Sequence, residues 1–89
     1  MATLDQDILL SRARLALDAT AIGQAMLEGD HDEARFRAHL LRTDAADLGF
    51  DDTAHAALRV IAHLPPGEAP KVGIGRAMLH LTDTLHIPD

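Results

Sequence analysis

Apolar residues recur along this chain at steps of three and four, the period of a helix that buries one face. The first stripe is Leu4, Ile8, Leu15, Ala19, Ile22 and Met26, broken at Gly29. The second is Ala34, Ala38, Leu41, Ala45 and Leu48, closed by Gly49. A third runs through Ala57, Leu58, Ile61 and Leu64 to the stop Pro65-Pro66-Gly67, and a fourth through Ile74, Met78, Leu81 and Leu85 to Pro88. No alternation of the strand type occurs. The spacing predicts helices over about 4–28, 31–48, 52–64 and 71–86.

Helix-start signals sit where these stripes begin. Thr3 with Gln6, and Asp30 with Glu33, have the spacing of a capping box. Asp51, Asp52 and Thr53 offer N-caps for the third helix. Pro70 suits the opening of the fourth, although Gly73 and Gly75 weaken its first turn. Four amphipathic helices with short connections predict an all-α fold, an antiparallel up-down four-helix bundle, with residues 1–89 as a single domain.

Composition narrows the functional classes. Ala and Leu dominate the 47% apolar content, and Cys, Trp and Tyr are absent. There is no disulfide framework, no thiolate metal site and no membrane-length apolar run, and Met-Ala-Thr-Leu-Asp lacks the charged-then-apolar plan expected of a secretion signal. A cytoplasmic protein is the simplest expectation. The formal net charge of −6 argues against nucleic-acid binding. None of the six histidines lies three or four residues from another, so no ligand pair shares a helix face and no metal site is expected. Gly73-Ile74-Gly75-Arg76 has two glycines of a phosphate loop but lacks the Gly-Lys-Ser/Thr ending and a preceding strand. No Ser-His-Asp or paired-carboxylate arrangement emerges, and nothing supports an enzyme or small-ligand site in the bundle interior.

The second helix carries the candidate chemistry. Each residue turns the helix by about 100°, which sets His39 opposite the stripe from Ala34 to Leu48. Arg35, Arg42, Thr43 and Ala46 fall within about 60° of it, with Phe36 and Leu40 as apolar flanks. Imidazole is a good nucleophile near neutral pH, and guanidinium groups match phosphate geometry. An outward histidine between cations and apolar flanks suits phosphoryl transfer, with the flanks docking a donor protein. The plainer readings are a surface histidine, arginines paired with Asp32, Glu33, Asp44 or Asp47, and Phe36 and Leu40 packed against another helix or a second copy of the chain.

The segment from His39 to Phe50 resembles the histidine phosphotransfer (HPt) domains of phosphorelays. His39, Leu41, Arg42, Ala45, Leu48 and Gly49 occupy the places of the family's His, Leu or Ile, Lys, small residue and helix-ending Gly. Leu48-Gly49-Phe50 is similar to the corresponding ending in chemotaxis kinases, and Gly29-Asp30 stands where the family often has a Gly-Asp turn. The likeness covers residues 5 to 64 in layout and about a dozen in motif. The fourth helix agrees only as a helix.

The resemblance implies that His39 is the phospho-acceptor, supported by Arg42, Thr43 and Arg35, with Phe36, Leu40 and Ala46 docking the partner. It implies a response-regulator receiver domain or a sensor kinase as partner. Mg²⁺ would belong to the receiver and no cofactor to this chain, which carries a phosphoryl group rather than catalysing its transfer. A homodimer is compatible with this. Thr43 departs from the family's glycine. Its β-branched side chain leans toward the ring, where it either crowds the partner's approach or orients the imidazole by a hydrogen bond. The alternative is a phosphorylation-incompetent HPt-like bundle, a non-catalytic module that binds another protein through Phe36, Leu40 and the arginines.

Overall fold

The computed structural model describes the backbone of residues 2–86 and the side chains of residues 6–86. Its four helices are α1 (Ala2–Leu27), α2 (His31–Asp47), α3 (Asp51–Ala62) and α4 (Ile74–Thr84). No strand forms among the described residues. α1 packs on α2, α2 on α3, α3 on α4, and α4 returns more loosely to α1, which closes an antiparallel up-down bundle. Among the described residues no helix is long and apolar enough to cross a membrane.

Each helix turns a stripe of four-three-four steps inward. These are Leu15, Ala19, Ile22 and Met26 on α1, Ala34, Ala38, Leu41 and Ala45 on α2, and Thr53, Ala57, Val60 and Leu64 on and just after α3. On α4 the inward positions are Ile74, Ala77, Met78, Leu81 and Leu85. The alanines let α2 lie close between α1 and α3, while Leu15, Ile22, Leu41, Leu64 and Leu81 fill the interior. Truncating any of these large side chains to Ala costs about 2–5 kcal/mol in comparable cores.

Two turns share one design. At the end of α1, Gly29 (φ 77°) lets its own N–H reach Met26 O at 3.0 Å and Asp30 N–H reach Ala25 O at 2.8 Å. At the end of α2, Gly49 (φ 81°) does the same, with Phe50 N–H on Ala45 O at 2.8 Å. Both are Schellman closures, which need a left-handed residue and therefore favour glycine. Asp30 then caps α2 by accepting from Glu33 N–H at 3.1 Å.

Several sequence expectations need correction. α1 begins at Ala2, upstream of Thr3, so Thr3 is not its N-cap. α3 begins at Asp51 after Phe50, which makes no side-chain cap, and Thr53 is buried instead of capping. Leu58 is exposed and Val60 takes its place inside, because the inward stripe is set by Ala57 and Leu64. α4 starts at Ile74 rather than near Pro70: Gly73 has φ 99°, outside helical space, and Lys71 N–H bonds back to His63 O at 2.8 Å. Ile8 and Leu48 are exposed. Ile8 lies where α1 overruns its neighbours, and Leu48 has left the helix as its C-cap.

Candidate functional site

His39 is the middle residue of the 17-residue α2. Both of its neighbouring turns are hydrogen-bonded, and the opposite side of the helix is clamped by the buried Ala34, Ala38, Leu41 and Ala45. The imidazole projects into solvent from this rigid support. Among the described residues the only histidine ring held by a hydrogen bond is that of His63, whose Nδ1 lies 2.7 Å from Arg59 O. The His39 ring is thus open to an incoming reactant.

Phe36 and Leu40 stand on the same outer side, 56% and 41% exposed. Phe36 is therefore not core filling; the second aromatic, Phe50, is the one packed against the core. Arg42, Thr43 and Ala46 are exposed beside His39. Among the described residues Arg42 has no carboxylate within ion-pair distance, so its guanidinium is available to an anion.

The other two arginines are engaged. Arg35 shares the face by angle, but its half-buried guanidinium turns away from the histidine. Its Nη2 lies 2.6 Å from Asp32 Oδ1, and its Nη1 donates to Pro65 O at 3.5 Å. Arg37 pairs with Glu33 at 2.9 Å, so Glu33 does not complete a capping box. Of the three cations around His39 in sequence, only Arg42 is brought to the site uncommitted.

Thr43 resolves one of the two options its sequence position leaves open. Its Oγ1 donates to the carbonyl of His39, one turn back, at 3.1 Å. The hydroxyl is spent on the backbone and does not hold the ring. What Thr43 adds to the face is bulk.

Sequence reasoning missed the acidic cleft beside this face. Asp18 of α1 faces Asp44 and Asp47 of α2 in a hollow of about 190 Å³ that also includes Ser11 and Arg14. Partial burial raises the Asp18 pKa, and the Asp44 charge raises it further against the pull of Arg37 and Arg14. Among the described residues no three His, Cys, Asp or Glu side chains are grouped to hold a metal ion.

No family model matches the chain, and no curated protein and no solved structure matches it either.

Proposed function

We propose that the chain is a histidine phosphotransfer module of a phosphorelay, with His39 as the phosphoryl-carrying residue. The observation that carries this reading is an exposed imidazole at the midpoint of a clamped helix, flanked by exposed Phe36, Leu40 and Ala46 and by the uncommitted Arg42. An unprotonated ring nitrogen attacks the phosphorus of an aspartyl phosphate on a receiver domain. The N–P bond forms as the P–O bond breaks, the aspartate leaves as carboxylate, and the excess ring proton passes to water. Arg42 offsets phosphate charge, while Phe36, Leu40 and Ala46 dock the partner. The receiver, or a sensor kinase in its place, supplies the catalytic groups and Mg²⁺, so the chain itself is a carrier.

The test is phosphorylation by a phosphorylated receiver domain or by phosphoramidate, followed by intact mass. The expected result is one acid-labile phosphate on the chain and none on His39→Gln, with His55→Gln unaffected. An added phosphate that survives in His39→Gln sinks the assignment.

A second reading rests on Thr43, whose bulk stands beside the ring. On that reading the same face is a non-catalytic docking surface. Partner binding unchanged in His39→Gln but lost in Phe36→Ala, with no phosphorylation of the wild type, would select it.

A further inference from the structure

The first turn of α3 opens at the bundle end where α1, the end of α4 and the turn after α2 meet. The leading N–H groups of a helix have no partners within it, and a side-chain acceptor at the N-cap usually takes one of them. α3 has no such acceptor, because its N-cap is Phe50. Among the described residues the N–H groups of Asp51, Asp52 and Thr53 make no hydrogen bond, and the first bond of the helix runs from Ala54 N–H to Phe50 O at 2.9 Å.

An uncapped helix start does not by itself point to a ligand, and Thr53 supplies the second observation. Among the described residues it is the one polar side chain in the buried class, 2% exposed. Thr20, Thr43, Thr82 and Thr84 each donate to a carbonyl three or four residues back. Thr53 stands too early in its helix for this, since the carbonyl four residues back belongs to Gly49, in the left-handed turn. Its hydroxyl has no partner among the described residues. No side-chain oxygen or nitrogen among them is both sealed from solvent and unbonded, so this hydroxyl opens onto the hollow of about 300 Å³ that Thr53 lines.

Arg12, Phe50, Asp51, Asp52 and Thr84 line the same hollow. One wall is positive. The Arg12 guanidinium is held there by its bond to Thr84 O at 3.1 Å and by the Phe50 ring, 5.0 Å away. Among the described residues it has no ion pair. The unbonded N–H groups add the partial positive charge of a helix start. The other wall is negative, with Asp51 and Asp52 exposed in the first turn. Neither carboxylate comes within ion-pair distance of Arg12, so the two walls stand apart. A lone anion meets the aspartates, and a lone cation meets Arg12 and the helix start. A small molecule that carries both charges matches both walls.

We propose that this hollow binds a small zwitterion of the α-amino-acid type. The ligand carboxylate accepts from the free N–H groups of α3 and from the Thr53 hydroxyl, on the side of Arg12. The ligand ammonium meets the carboxylates of Asp51 and Asp52. The hollow lies past the end of α2, apart from the mid-helix His39, and its chemistry is independent of whether His39 carries phosphate.

Titration of the full chain with L-alanine, propionate and ethylamine, followed by amide NMR, tests the proposal. These probes carry both charges, the carboxylate alone and the ammonium alone. L-alanine should give saturable shifts at the amides of Asp51, Asp52 and Thr53, and each single-charge probe should bind about tenfold more weakly. Thr53→Val keeps the shape but not the hydroxyl and should weaken L-alanine about fivefold, while Thr53→Ser keeps the hydroxyl and should bind as wild type. Joint Asp51→Asn and Asp52→Asn replacement removes the negative wall, so propionate should then bind at least as well as L-alanine. L-alanine shifts that do not saturate, equal affinity for propionate in the wild type, a Thr53→Ser protein that does not bind, or a preference for L-alanine that survives loss of both aspartates would each overturn it.

Discussion

The hydroxyl of Thr43 donates to the backbone carbonyl of His39 at 3.1 Å, so Thr43 is tied to the helix rather than to the imidazole. This bond satisfies the side chain without engaging the ring, and it leaves the threonine bulk exposed beside the imidazole. On the phosphotransfer reading, Thr43→Ala should accept phosphate several-fold faster than wild type and fold at least as stably, since Ala is the better helix former. Thr43→Gly should be as fast but less stable than Thr43→Ala by about 1 kcal/mol. The initial rate of phosphoryl gain and the thermal midpoint check both. A Thr43→Ala protein no faster than wild type would remove Thr43 as the obstruction.

Arg42 and Arg35 separate function from stability. Among the described residues Arg42 has no ion pair, so on the phosphotransfer reading Arg42→Ala should leave the midpoint nearly unchanged while lowering phosphoryl transfer to His39 about tenfold, the scale of one charge-assisted contact. Arg42→Lys should retain most of the rate. Arg35 links Asp32 on α2 to the Pro65 carbonyl beyond α3. Arg35→Ala should cost about 1 kcal/mol of stability with little change in transfer. The reverse assignment of the two effects would place the phosphate-supporting cation at Arg35.

Asp18 gives the fold a dependence on acid. Burial and then Asp44 raise its pKa above that of an ordinary aspartate. Between the unfolded and folded values the native state holds more protons than the unfolded one, so stability falls as pH rises through that window. The cost is fully present at neutral pH and disappears once the carboxyl is protonated in both states. Asp18→Asn should therefore raise the thermal midpoint at pH 7, with the gain shrinking as pH falls through the carboxylate range. Asp44→Asn should give a smaller gain of the same sign. Thermal scans at several pH values test this, and a gain that grows on acidification would contradict it.

The parts of this fold legible in sequence are those decided by local chemistry. Gly29 and Gly49 mark helix ends because each turn needs a left-handed residue, and Asp30 marks a start because its carboxylate reaches Glu33 N–H. The stripe Ala34, Ala38, Leu41 and Ala45 determines which side of α2 is buried, and with it the outward side that carries His39. What sequence periodicity could not reach depends on distant partners. The diversion of Arg35 requires the Pro65 carbonyl, 30 residues away. The exposure of Ile8 depends on where the other helices stop, since its spacing matches that of the buried Leu15. The late start of α4 comes from the link between Lys71 and His63 and the left-handed Gly73, where the glycine and proline pattern allowed an earlier one.

Arg12 makes another of these long-range ties. Its guanidinium carbon stands 5.0 Å from the centre of the Phe50 ring, in the turn between α2 and α3, and its Nη1 donates to Thr84 O, the last residue of α4, at 3.1 Å. One cation thus joins α1 to the turn before α3 and satisfies a carbonyl at the negative end of α4. Because α4 packs only loosely on α1, this contact fixes much of their relative position. Arg12→Ala should cost about 1–2 kcal/mol, a fall in thermal midpoint of roughly 4–16 °C for a domain of this size. Arg12→Lys keeps the charge but not the planar group that both stacks and donates, and should recover less than half of the loss. Phe50→Leu removes the ring while keeping apolar bulk, so its loss and that of Arg12→Ala should sum to more than the loss in the double variant. Additive losses in that cycle would show that the cation and the ring act independently.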